Sequence, residues 1–114
     1  MITAAEARAK TILAWSEIQL QTHIVGLAEG IGYLSYHTYN SRRSNPGYPD
    51  LHLVHPRWCV SMFRELKSQK GRMSPDQKTW GAGLLAAGHD FGIWRPSDVV
   101  SGAVLEQLQA GARR

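Results

Sequence analysis

The chain has 114 residues and a mass of 12.7 kDa, enough for one domain spanning 1–114 with a single core and no need of cross-links. Its 43% hydrophobic and 19% charged residues exclude a disordered chain, its lone Cys59 excludes a cystine framework and fits a reducing cytoplasm, and no apolar run approaches a membrane span. The net charge of +4 and a pI of 9.6 fit an anionic partner, because Lys and Arg gain by displacing counterions from a polyphosphate.

The opening Met1-Ile2-Thr3-Ala4-Ala5-Glu6 lacks the basic-then-apolar order of a signal peptide. Thr3 to Glu6 and Ser16 to Gln19 each have capping-box spacing, so the first thirty residues form either one helix or two joined near Trp15. Leu20, Ile24, Leu27 and Ile31 then recur at helical spacing as a buried stripe, which Gly30 and Gly32 end. Tyr33 to His37 reads as a short strand, and Thr38 to Pro49 as a loop rich in Asn, Ser, Gly and Pro. Leu51 to Val54 is a second strand, stopped by Pro56, and Val60 to Lys67 a third. Alternation in that third strand puts Glu65 and Lys67 side by side on one face.

Ser68 to Met73 is a polar turn, after which Ser74-Pro75-Asp76-Gln77 starts a helix with Ser at the N-cap and Pro at the first helical position. That helix closes at Gly88. Phe91 to Trp94 is a fourth strand, Ser97-Asp98 caps a last helix running through Leu108, and the tail at 110–114 is expected to fray. The order of elements predicts a small mixed α/β domain, a sheet flanked by helices.

Asp50 stands at the mouth of the second strand and Glu65 near the end of the third, so pairing of these strands brings two carboxylates together. With the Leu66 carbonyl they make an oxygen set suited to a hard divalent cation, and the ammonium of Lys67 can stabilise charge on a phosphate oxygen. Taken singly, Glu65 and Lys67 read as an ordinary solvated ion pair and Asp50 as a turn residue. The joint pattern carries more. Gly47-Tyr48-Pro49-Asp50-Leu51, then Arg64-Glu65-Leu66-Lys67, then Ser74-Pro75-Asp76-Gln77, closely resembles the VRR-NUC nucleases of the PD-(D/E)XK phosphodiesterase superfamily, over about Glu17 to Pro96.

That resemblance implies a restriction-endonuclease-like mixed sheet flanked by helices and an Mg²⁺-dependent DNA endonuclease. It implies that Asp50, Glu65 and the Leu66 carbonyl bind Mg²⁺ or Mn²⁺, with Lys67 as the catalytic lysine. Glu17 matches an acidic residue on the family's first helix, although a carboxylate there also serves the helix dipole. Gln77 matches a glutamine of the helix after the motif, although capping explains it equally well. The resemblance further implies cutting of branched or four-way junction DNA by a protein of a bacterial or phage-infected cell; a homodimer is expected because two copies present two sites to two strands, and a cytoplasmic place without membrane attachment is expected from the lone cysteine and the lack of a long apolar run. The alternative is a non-catalytic nucleic-acid-binding subunit of a nuclease or repair complex.

Arg42 and Arg43 precede Asp50, and Lys70, Arg72 and Lys78 follow Lys67, so five cations are expected to hold DNA phosphates at one end of the sheet. His52, His55 and Cys59 look like zinc ligands, but residues three apart on a strand point to opposite faces and no second cysteine completes a site. His37 is expected at the surface. Trp15, Trp58, Trp80 and Trp94 read mainly as core or partner contacts.

Overall fold

The computed structural model describes residues 1–38 and 45–113. Two helices open the chain, α1 over Ala4–Leu13 and α2 over Glu17–Gly30. Each begins with a reciprocal capping box, Thr3 with Glu6 and Ser16 with Gln19, so two independent start signals give two helices rather than one. Four strands follow: β1 (Leu34–His37), β2 (Leu51–His55), β3 (Val60–Leu66) and β4 (Asp90–Trp94), with α3 (Pro75–Ala86) between β3 and β4. They form one sheet in the order β1-β2-β3-β4, with β1/β2 and β2/β3 antiparallel and β3/β4 parallel across the α3 crossover. The expected mixed α/β architecture is the one observed.

The side chains of the sheet divide cleanly by parity. Leu51, Leu53, Met62, Leu66 and Trp94 join Leu20, Ile24 and Ala28 of α2 in the main core, closed by Val104 and Leu108. On this face His55 is buried, stacked on Trp58 at 3.8 Å, with its Nε2 donating to the Ile31 carbonyl at 2.9 Å. His52 points to the opposite face. His52 and His55 therefore do not converge on one site, and among the described residues no group of three or more His, Cys, Asp or Glu is set to hold a metal. The opposite face carries His52, Phe63 and Phe91 and is partly roofed by α3, where Gly81 lets the helix approach: a Cβ there would lie 2.5 Å from the Phe91 ring.

Three expectations at the C-terminus are corrected. The last helix is two pieces, α4 (Pro96–Val100) and α5 (Ala103–Gln109), because Gly102 at φ +86° turns the chain between them. Asp98 does not cap from the N-cap position; Arg95 occupies it, and its N–H donates to the Asp98 carboxylate at 2.8 Å. The tail expected to fray instead winds into a 3₁₀ turn over Ala110–Arg113. Gly111 is buried there, with room for no side chain, since a Cβ would lie 2.4 Å from Val60. No helix of the described residues is long and apolar enough to cross a membrane.

Candidate active site

The β2/β3 register pairs Leu51 with Arg64, and one step further along the ladder Asp50 stands opposite Glu65. The ladder does continue that far on the other side, where the Thr38 N–H donates to the Asp50 carbonyl at 3.2 Å. Two carboxylates directly across a strand pair repel, an arrangement sheets ordinarily avoid. Here it is held in place. The Leu66 N–H donates to Asp50 Oδ2 at 2.8 Å, and the segment leading to Asp50 is anchored from the other side. Gly47, at φ +90°, lies so close to α3 that a Cβ would come 2.4 Å from the Asp76 backbone. Tyr48 sets its ring edge-on against Trp80 at 5.0 Å and Phe63 at 6.3 Å.

Glu65 is buried, and its Oε1 has no hydrogen-bond partner. Burial, a proton shared with Asp50 and the Asp50 charge push its carboxyl up to about 9, with the field of Glu17 adding to the rise and that of Lys67 opposing it. A buried acid that keeps its proton at neutral pH because other acids face it is an environment waiting for positive charge. The donor set fits a hard divalent cation: two carboxylates, one with an unused buried oxygen, and a nearby strand end at Leu66. Mg²⁺ retains several waters and needs only one or two carboxylates, so the absence of a larger ligand cluster among the described residues is consistent with it.

A cleft of about 460 Å³ opens beside the pair, lined by Glu17, Ile18, Gln21, His37, Thr38, Asp50 and Leu66. Glu17 lines it from the first turn of α2. His37, partly exposed as expected, forms part of the cleft wall. Lys67 is buried beside Glu65, and its stem runs past Gly71 of the following turn, where an added Cβ would lie 3.6 Å from Lys67 Cδ. That turn is pinned by a residue the sequence did not single out. The Arg95 guanidinium donates through Nη1 to the carbonyls of Ser68 at 2.9 Å and Gly71 at 2.6 Å.

Asp50, Glu65, Leu66, Lys67 and Glu17 are thus brought together. Of these, Glu17, Asp50 and Leu66 line the cleft itself; Gln77 does not, and its Oε1 accepts from Ser74 N at 2.8 Å in the capping box. Lys70 and Arg72 are exposed in the turn after β3, and Lys78 is exposed on α3. Arg42 and Arg43 lie outside the described residues. Arg64, next to Glu65 in sequence, faces the opposite way, paired with Asp90 at 2.8 Å and packed over Trp94.

The sheet order and its flanking helices define a mixed α/β domain. No protein-family model and no curated protein matches the chain, but solved structures do. One, described as "VRR_NUC domain", is 25% identical with a TM-score of 0.61, covering 76% of this chain and 92% of its own. Another, a "VRR_NUC domain protein", is 18% identical with a TM-score of 0.64, covering 86% and 91% respectively. Within that class, the chain folds as a VRR-NUC domain.

Proposed function

We propose that the protein is a divalent-metal-dependent endonuclease that hydrolyses DNA phosphodiester bonds, with Asp50 and Glu65 as its metal ligands. The observation that carries this reading is the cross-strand Asp50–Glu65 pair, with a buried Glu65 oxygen left unpartnered beside an open cleft. The chemistry Mg²⁺ or Mn²⁺ supplies in such a site is Lewis-acid stabilisation of charge on the phosphate and easier deprotonation of the attacking water.

The chain's own residues do the rest. Leu66 N–H holds Asp50 Oδ2, the buried Glu65 Oε1 is left for the ion, and the Leu66 carbonyl is a further candidate ligand. Lys67, held beside Glu65 by the turn that Arg95 pins, places an ammonium where negative charge builds up on the phosphate. Glu17 faces the same cleft and would help position a second ion or a water. Exposed Lys70, Arg72 and Lys78 contact flanking phosphates, which orients the DNA without reading its bases. Preference for branched or four-way junction DNA and action as a homodimer, presenting two sites to two strands, belong to the same proposal.

The test is cleavage of labelled four-way junction and linear duplex DNA with Mg²⁺ by wild type, Asp50→Ala and Lys67→Ala. The wild type should cut and both variants should lose at least about a hundredfold in rate. A wild type that is inert, and that binds DNA without binding divalent ions in calorimetry, would make the chain a binding subunit instead.

A further inference from the structure

The register that sets Asp50 opposite Glu65 also builds a row of rings one rung away on the same face. Tyr36 pairs with His52, His52 with Phe63, and Phe63 with Phe91, so four aromatic side chains cross the sheet from β1 to β4. His52 lies flat on Phe63, with ring centroids 4.2 Å apart and planes 11° from parallel, and His89 meets Phe63 edge-on at 5.6 Å. At the β4 end the row is roofed by α3. At the β1 end it is open: Tyr36 is 61% exposed, and its neighbour on the same face, Leu34, is 65% exposed.

A two-residue step along a strand is about 7 Å, so the rings stand immediately beside the carboxylate pair and within reach of a nucleotide next to the phosphate cut there. Lys70 and Arg72 follow β3 at the same end of the sheet as the carboxylates, so their charge is available to a nucleic-acid backbone at that end. We propose that Tyr36, the cross-strand neighbour of His52, is a stacking platform for an unpaired base flanking the scissile phosphate, and that among branched DNAs the substrate is accordingly one with single-stranded character at the cut, a fork rather than a fully paired four-way junction. This rests on the nuclease reading for the position of the phosphate, but the stacking itself needs no catalysis. Stacking tolerates any base, because every base has a π-face, and it is unavailable to a base that stays paired in a duplex.

The experiment is binding of the full-length chain, in EDTA, to forked DNA carrying 2-aminopurine as the first unpaired nucleotide, and to a perfect duplex of equal length. Wild type should quench the 2-aminopurine and prefer the fork. Tyr36→Ala should abolish the quenching and reduce the fork-over-duplex preference about tenfold, while Tyr36→Phe, which keeps the ring, should retain both. Tyr36 is exposed on an edge strand, so circular dichroism should show an unchanged fold. Equal weakening on fork and duplex, no change in quenching, or conversion of a dimer to a monomer with quenching intact would each overturn the inference; the last would mark this face as a contact between copies. Quenching by a protein that never cuts would sustain the platform and sink the nuclease reading, so the two failures are separable.

Discussion

Replacing Glu65 by Gln should stabilise the metal-free protein, and the gain should depend on pH. In the unfolded chain Glu65 ionises near 4.5, whereas in the folded site it holds its proton up to about 9. The stabilising influence of the neutral acid is complete below the unfolded value and is lost progressively as pH rises through the folded one. Between those limits the unfolded state releases a proton that the folded state retains, so stability falls as pH rises. At about pH 8 the opposition spans roughly 3.5 decades, about 5 kcal/mol at 1.4 kcal/mol per decade. Solvent entering from the cleft screens this, and about 2 kcal/mol is the expected remainder. Gln is neutral at every pH and can donate to Asp50 as the protonated acid does. Thermal melts in EDTA should therefore show Glu65→Gln higher in Tm by about 8 °C near pH 8, and by less than about 2 °C near pH 5. Adding Mn²⁺ should raise the wild type and leave the variant unmoved, since only a ligand that binds the folded state stabilises it. An equal Tm change at both pH values, or a variant less stable near pH 8, would refute the carboxylate pairing.

Other outcomes follow from the same geometry. Gly47→Ala puts a methyl into the Asp76 backbone at a left-handed φ, so junction cleavage should drop at least about tenfold while Tm falls only a few degrees, read from parallel rate and melting measurements. Gly81→Ala drives a Cβ into the Phe91 ring and should cost about 1–3 kcal/mol in urea unfolding, with no change in the Mn²⁺ affinity of the folded fraction. Lys70→Ala and Arg72→Ala should each lower the slope of log affinity against log salt by about 1, equally for every DNA sequence, in filter-binding titrations. Lys67→Met should leave calorimetric Mn²⁺ binding in place while slowing single-turnover cleavage, which separates charge stabilisation from metal holding.

Local signals carried most of the architecture. Thr3/Glu6, Ser16/Gln19 and Ser74/Gln77 are complete in the sequence because a capping box is made by residues three apart, and all three form. The Asp50–Glu65 encounter was legible because a short connection between two strands dictates antiparallel pairing, and the register then follows. The break at Gly102 was missed because apolar periodicity runs through Val99, Val104 and Leu108 without interruption, although a Ser-Gly pair was its local mark. The buried Gly111 could not be read locally, since its reason is Val60, fifty-one residues earlier. Arg95 was missed for a similar cause: its partners are backbone carbonyls of a turn about 25 residues away, which leave no side-chain pattern to recognise. Nor could the sequence decide between capping and chemistry for Gln77, because both demand the same residue at the same spacing, and the structure gives its amide to the cap.

The central claim is that Asp50 and Glu65 together hold a divalent ion at the mouth of the cleft. A crystal of the full chain soaked in Mn²⁺ and measured at the manganese absorption edge tests it most directly. The account predicts one anomalous peak between the Asp50 and Glu65 carboxylates, beside the Leu66 carbonyl, that disappears in Glu65→Gln. A peak elsewhere on the surface, or none at millimolar Mn²⁺, would contradict it.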